Sequence, residues 1–107
     1  MTDEFFGTLH INHEHMNAVD NVYDNLNFSI AEATIEELSE LITAISKWNR
    51  YDGLDKYGPN IDNVIEEIAH VIICIRCLCR RYGIFPEEIQ AKIIEKDKKL
   101  YEYYGND

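Results

Sequence analysis

The chain has little that would interrupt a helix: two prolines and five glycines in 107 residues, and these fall between periodic segments rather than inside them. No stretch alternates apolar and polar residues as a half-buried strand does, which excludes a sheet as the organising element. Long apolar runs are also missing. The longest, Ile68 to Cys79, is broken by His70 and Arg76 and falls well short of the roughly 20 residues a membrane span requires. The opening Met-Thr-Asp-Glu-Phe-Phe-Gly has no basic stretch followed by an apolar one, so no export or transit signal is read there. Cations are scarce, ten against twenty acids, for a formal charge of −10. Such a surface repels a phosphate backbone and argues against a nucleic-acid polymer as partner. No glycine-rich phosphate loop, nucleophile elbow or Cys/His dyad is present. The three cysteines, Cys74, Cys77 and Cys79, are odd in number and close together, which suits reduced, buried thiols in a cytoplasmic protein better than a disulfide framework.

The length allows one domain, residues 1–107, and 46% hydrophobic residues are ample for a folded core. The periodicity predicts an all-α chain of about four helices after an irregular segment 1–15. The first helix is expected from about Met16 to Leu26. The second runs from a Ser29 cap, with Glu32 three residues later, to about Tyr51. After a loop through Asp52-Gly53 and Gly58-Pro59-Asn60, the third runs from near Asp62 to Tyr82 and is stopped by Gly83. Pro86 opens the fourth, with Glu87 and Glu88 at its positive end, and Gly105 closes it. Val71-Ile72-Ile73-Cys74-Ile75 is apolar on every side of its helix. A segment of that kind must be covered all round, which predicts a homodimer or homotetramer.

Two apolar stripes carry acids. In the second helix Ile30, Ala33, Glu37, Leu41, Ala44 and Trp48 follow at steps of three and four, with Glu40 one turn beyond Glu37 at the stripe's edge and Glu36 on the more exposed side. In the third, Val64, Glu67, Val71, Cys74 and Leu78 repeat the pattern, and His70 follows Glu67 by three. A buried unpaired carboxylate costs several kcal/mol, and two on adjacent core faces call for a compensating charge, best supplied by a divalent cation. The pairs Glu37 with Glu40 and Glu67 with His70 would each present two ligands on one side of a helix. The same spacing is also met by ordinary solvated helix acids.

The segment Ala33-Thr34-Ile35-Glu36-Glu37-Leu38-Ser39-Glu40-Leu41, followed by Glu66-Glu67-Ile68-Ala69-His70-Val71, resembles the MazG-like family of all-α nucleoside triphosphate pyrophosphohydrolases, whose pattern is E-E-x-x-E, a gap, then E-x-x-D. The similarity extends over about residues 29 to 104. It implies hydrolysis of a (d)NTP to the monophosphate and pyrophosphate with Mg²⁺, or Mn²⁺, bound by acids of two helices, in dimers whose subunits complete the pocket. Carried over, Glu37, Glu40 and Glu67 take the metal positions, and Glu36 matches the first acid and orients water. Hard Mg²⁺ suits oxygen ligands and keeps waters, one of which can act as nucleophile.

His70 stands where the pattern has Asp. A neutral imidazole removes a negative charge and a hard oxygen, which weakens Mg²⁺ and favours Mn²⁺, Co²⁺ or Zn²⁺. Two other readings follow from that departure: a non-catalytic nucleotide- or metal-binding oligomer of the same fold, and a His70 paired with Glu66 instead of ligating. Phosphoribosyl-ATP pyrophosphohydrolysis is a related helical activity. The resemblance further implies basic residues of the last helix on the phosphates, here Lys96 and Lys99, although Lys92, Lys96 and Lys99 also suit pairing with Glu88 and Glu95 on a solvated face. Lys47 and Trp48 end the second helix, where an indole could stack on a base or join the core. His10, His13 and His15 match no standard zinc spacing.

Overall fold

The computed structural model describes residues 9–25, 29–50 and 61–105. It contains four helices, α1 (His13–Asn25), α2 (Ile30–Arg50), α3 (Ile61–Tyr82) and α4 (Pro86–Tyr104), and no strand among those residues. The expected loop through residues 52–60 and the expected helix ends at Leu26 and Tyr51 lie outside the described residues.

Helix boundaries follow local hydrogen bonding. The sequence places the start of α1 at Met16, but it begins at His13. Asn12 is the cap: its Oδ1 accepts the His15 N–H at 2.9 Å and its carbonyl accepts the Met16 N–H. One satisfied terminal donor outweighs the weak helix propensity of His and Asn. Ser29 caps α2 as expected, its Oγ accepting the Glu32 N–H at 3.0 Å. At the end of α3, Gly83 adopts φ +69°, with its N–H on the Arg80 carbonyl and the Ile84 N–H on that of Cys79. This is the paired closure of a left-handed helix stop. A Cβ at Gly83 would meet nothing within 4 Å, so the position selects glycine by backbone conformation rather than by space. Glu88, expected to favour the positive end of α4, does so by accepting the Phe85 N–H through Oε1 at 3.0 Å.

Helices α2 and α3 form the principal pair. Glu37 meets His70 while Lys47 and Asn63 share a cavity further along, so the two run antiparallel. Their facing sides bury Ile30, Ala33, Thr34 and Ala44 from α2 and Val64, Val71, Cys74 and Cys77 from α3. The stripes read from the sequence therefore are the packed faces, with Leu41, Trp48 and Leu78 half-buried at the margins. Helix α1 lays Met16, Val19 and Tyr23 against Ile30, Ala33, Ile73, Cys77 and Leu78. It is also tied by charge: the buried Asp20 pairs with Arg76 and Arg80, and Asp24 pairs with Arg80 at 3.0 Å. The cysteines are free, Cys74 and Cys77 buried and Cys79 half-buried.

Helix α4 differs. None of its residues is buried, and Ile93, Ile94, Leu100 and Tyr101 are each more than half exposed. Within 71–75 only Val71 and Cys74 are buried, and Ile75 is exposed. Further apolar side chains at helical spacing stay open on the α2–α3 pair, Ile35, Leu38, Ile42 and Ile45 on one helix and Ile61, Ile65 and Ile68 on the other.

Candidate metal centre

Because residues three apart on a helix share a face, α2 presents Glu37 and Glu40 together and α3 presents Glu67 and His70. Antiparallel packing sets the two pairs opposite each other. One ligand atom from each of the four lies within 4.8 Å of the others. Glu37 and Glu67 are partly buried on the inner side, while Glu40 and His70 are exposed on the outer side.

The inner oxygens carry the electrostatic burden. Oε2 of Glu37 and Oε2 of Glu67 are both buried, and neither accepts a hydrogen bond. His70 Nδ1 stands 3.3 Å from the first and 3.7 Å from the second, close but without hydrogen-bond alignment. The Glu37 carboxyl is pushed above its ordinary value, first by burial, then by the Glu40 charge and a hydrogen bond shared with that carboxyl, and least by Glu67, with His70 opposing. A charged acid held this way is stabilised by a cation placed among the oxygens. Three carboxylates and an imidazole at helical spacing, two of them with orphaned buried oxygens, form a donor set that fits a divalent ion.

A second layer closes the inner end. Cys74 lies one turn beyond His70, and its thiol shares a hydrogen bond with the Tyr23 hydroxyl of α1. Burial and the nearby Glu37 charge push this thiol up, so it stays protonated beside the acids. Tyr23 is absent from the sequence reading of the site. It lies far from the acidic motifs along the chain, and no local spacing reports the contact.

A cavity of about 270 Å³ opens beside the acids, with Glu36, Glu40, Lys47, Asn63 and Glu67 in its wall. The structure thus brings Glu36, Glu37, Glu40, Glu67, His70 and Lys47 together. Trp48 is half-buried and does not line this cavity. Lys96 and Lys99 are not brought to it within one chain: they line a separate hollow with Leu100, Tyr103 and Tyr104. On α4 Glu95 pairs with Lys92 at 3.3 Å and Lys99 at 3.8 Å, so the solvated-face pairing holds for these two lysines. Glu66 is exposed, and His70 turns to Glu37 and Glu67 instead of to it. A larger cavity, about 430 Å³, lies at the far end of α3 beside Asp20, Asp24 and Arg80, where the acids already have guanidinium partners.

A model of the MazG-like family matches residues 29–106, from the Ser29 cap through α4. The chain belongs to the MazG-like family. The match contains all four residues of the centre and the whole α2–α3 pair, while α1 with Tyr23 and Asp20 precedes it. No curated protein and no solved structure matches this MazG-like chain. Proteins of the family act on nucleotides and typically depend on a divalent metal. Among the described residues no helix is long and apolar enough to cross a membrane.

Proposed function

We propose that this MazG-like chain is a metal-dependent pyrophosphohydrolase that converts a (d)NTP to the (d)NMP and pyrophosphate. The observation that carries the reading is the pair of buried, unpartnered oxygens on Glu37 and Glu67, facing each other across α2 and α3 in a family of nucleotide enzymes. Glu37, Glu40, Glu67 and His70 would hold Mg²⁺ or Mn²⁺. When bound, such an ion neutralises phosphate charge and lowers the pKa of attached water. Glu36, in the cavity wall, serves to orient water and accept its proton. Lys47, the cation in the same wall, supplies positive charge to the phosphates. Cys74, buried and protonated beside Glu37, adds no negative charge at the inner end.

The substrate roles of Lys96 and Lys99 require a second copy of the chain, whereas Trp48 follows Lys47 on α2 and would stack on the base from the same chain. A homodimer or homotetramer is the assembly that would cover the exposed Ile faces of α2 and α3 and carry α4 of one subunit to the acids of another. Free thiols accord with a cytoplasmic setting.

Pyrophosphate release from a panel of NTPs and dNTPs, run with Mg²⁺ and Mn²⁺ in parallel, tests the reading. Turnover that Glu37→Gln abolishes supports it. Absence of turnover with every nucleotide overturns it. His70 in place of the motif's Asp favours one second reading, a non-catalytic nucleotide- or metal-binding oligomer. That protein would bind nucleotide without turnover and would gain Mg²⁺ affinity on His70→Asp.

A further inference from the structure

We infer that His70 is itself a metal ligand, through Nδ1, and makes this a mixed oxygen and nitrogen site selective for Mn²⁺, Co²⁺ or Zn²⁺ over Mg²⁺. The inference rests on reading the four residues as a metal centre, and it adds the atom and the choice of ion. The contact geometry separates ligation from a plain ion pair. An imidazolium paired with Glu37 would aim its N–H along the line to Oε2, yet the oxygen 3.3 Å from Nδ1 accepts no hydrogen bond, and neither does that of Glu67 at 3.7 Å. One ring nitrogen of His70 and one oxygen from each of Glu37, Glu40 and Glu67 lie within 4.8 Å of one another. Ligands bound about 2.1 Å from one ion stand roughly 3.0–3.5 Å apart along an edge of its coordination sphere; the 3.3 Å separation from Glu37 falls in that range, and Glu67 at 3.7 Å lies just beyond it. The ring is about half exposed, at 45%, so Nε2 can carry the proton in water while Nδ1 keeps its lone pair for the ion.

The donor set then decides selectivity. With three carboxylates and one imidazole, the site offers Mg²⁺ one hard oxygen fewer than four acids would. Borderline ions accept nitrogen readily.

The test titrates the full-length protein with each metal chloride alone, by calorimetry, and records the pulsed EPR of bound Mn²⁺ with ¹⁵N-histidine labelling. Wild type should show a directly bonded histidine nitrogen, lost in His70→Asp. Because carboxylates alone also rank Mn²⁺ above Mg²⁺, the informative quantity is the ratio of the two affinities, which His70→Asp should lower by about tenfold. His70→Gln, which fills similar space, should lose the nitrogen signal while the protein stays folded. Bound Mn²⁺ without nitrogen coupling, or an unchanged ratio in His70→Asp, overturns the inference and leaves the carboxylate centre standing. Failure of wild type and His70→Asp alike to bind any of the four metals overturns the metal centre itself and the inference with it.

Discussion

Helix α3 carries two clusters of charge about ten residues apart, and they are built on opposite terms. At its C-terminal half Arg76 and Arg80 meet Asp20 and Asp24 of α1, and each of these four charges has a partner of opposite sign. At its N-terminal half Glu67 and His70 meet Glu37 and Glu40 of α2, where acids crowd together; a buried oxygen of Glu37, of Glu67 and of Asp20 each accepts nothing, but only Asp20 has guanidinium partners on its other oxygen. Balanced charge fastens α1 to the pair. Unbalanced charge weakens the metal-free fold and creates a demand for a cation. The difference teaches that burial alone does not mark a functional acid: Asp20 is the most buried carboxylate of the described chain, yet its Arg76 and Arg80 partners make it structural, while the less buried Glu37 is left in want of a counter-charge.

The comparison breaks most sharply by mutation at the acidic end. Glu67→Gln should reduce metal affinity by more than about 100-fold, since even residues behind the ligands commonly cost 10- to 100-fold, and pyrophosphate release should vanish with it. Metal-free Glu37→Gln should melt higher than wild type, by roughly 2–5 °C, because a repelled buried charge is gone. A Tm that falls in both would mean these acids are structural like Asp20. At the other end the sign reverses. Asp20→Asn should cost about 2 kcal/mol, the order of a charge-assisted hydrogen bond lost in a partly exposed cluster, and should leave metal affinity unchanged. Urea denaturation with and without Mn²⁺ reads both effects.

Acid sharpens the same contrast. Glu37 titrates above its ordinary 4.5 in the folded chain, so its repulsion is present at neutral pH and is relieved as pH falls through the folded value. Asp24 titrates below its ordinary 3.8, held down chiefly by the Arg80 hydrogen bond, so its contribution is present above that value and is lost as pH falls further. Metal-free protein should therefore gain stability from Glu37 on mild acidification and then lose it at Asp24. Glu37→Gln should erase the gain and Asp24→Asn the later loss, in melts taken from pH 7 to pH 3. The smallest effect lies outside both clusters. Glu88→Ala removes the acceptor of the Phe85 N–H and should reduce the helicity of α4 with a cost of about 0.5 kcal/mol, leaving metal binding untouched.

How much of this was legible in the sequence follows from the range of each interaction. Ser29, Gly83 and Pro86 act on their own helix ends and are legible locally, as are the stripes of α2 and α3 that become the packed faces. Glu37, Glu40, Glu67 and His70 were found as candidates because helical spacing puts each pair on one side, and packing brings the two pairs together. The Asn12 cap was passed over because the residues after it are poor helix formers. The ties of Asp20 and Asp24 to α3 bridge 56 positions, and nothing local encodes them. The choice of Glu37 and Glu67 over Glu66 as neighbours of His70 depends on the rotation of α3 against α2, which periodicity leaves open. Lys96 and Lys99 show the limit most clearly: their helix was predicted correctly, but α4 does not carry them to the acids within one chain.

The unburied state of α4 has a consequence for the order in which the molecule forms. Helices α2 and α3 follow each other in the chain, so their core can close without α4. Helix α4 follows them, and none of its residues is buried against the other described helices. With none of its 19 residues buried, this helix draws little of the packing that supplies most helical stability in proteins. In the proposed homodimer its ordering would gain a bimolecular component, faster as protein accumulates, which far-ultraviolet dichroism on serial dilution would report.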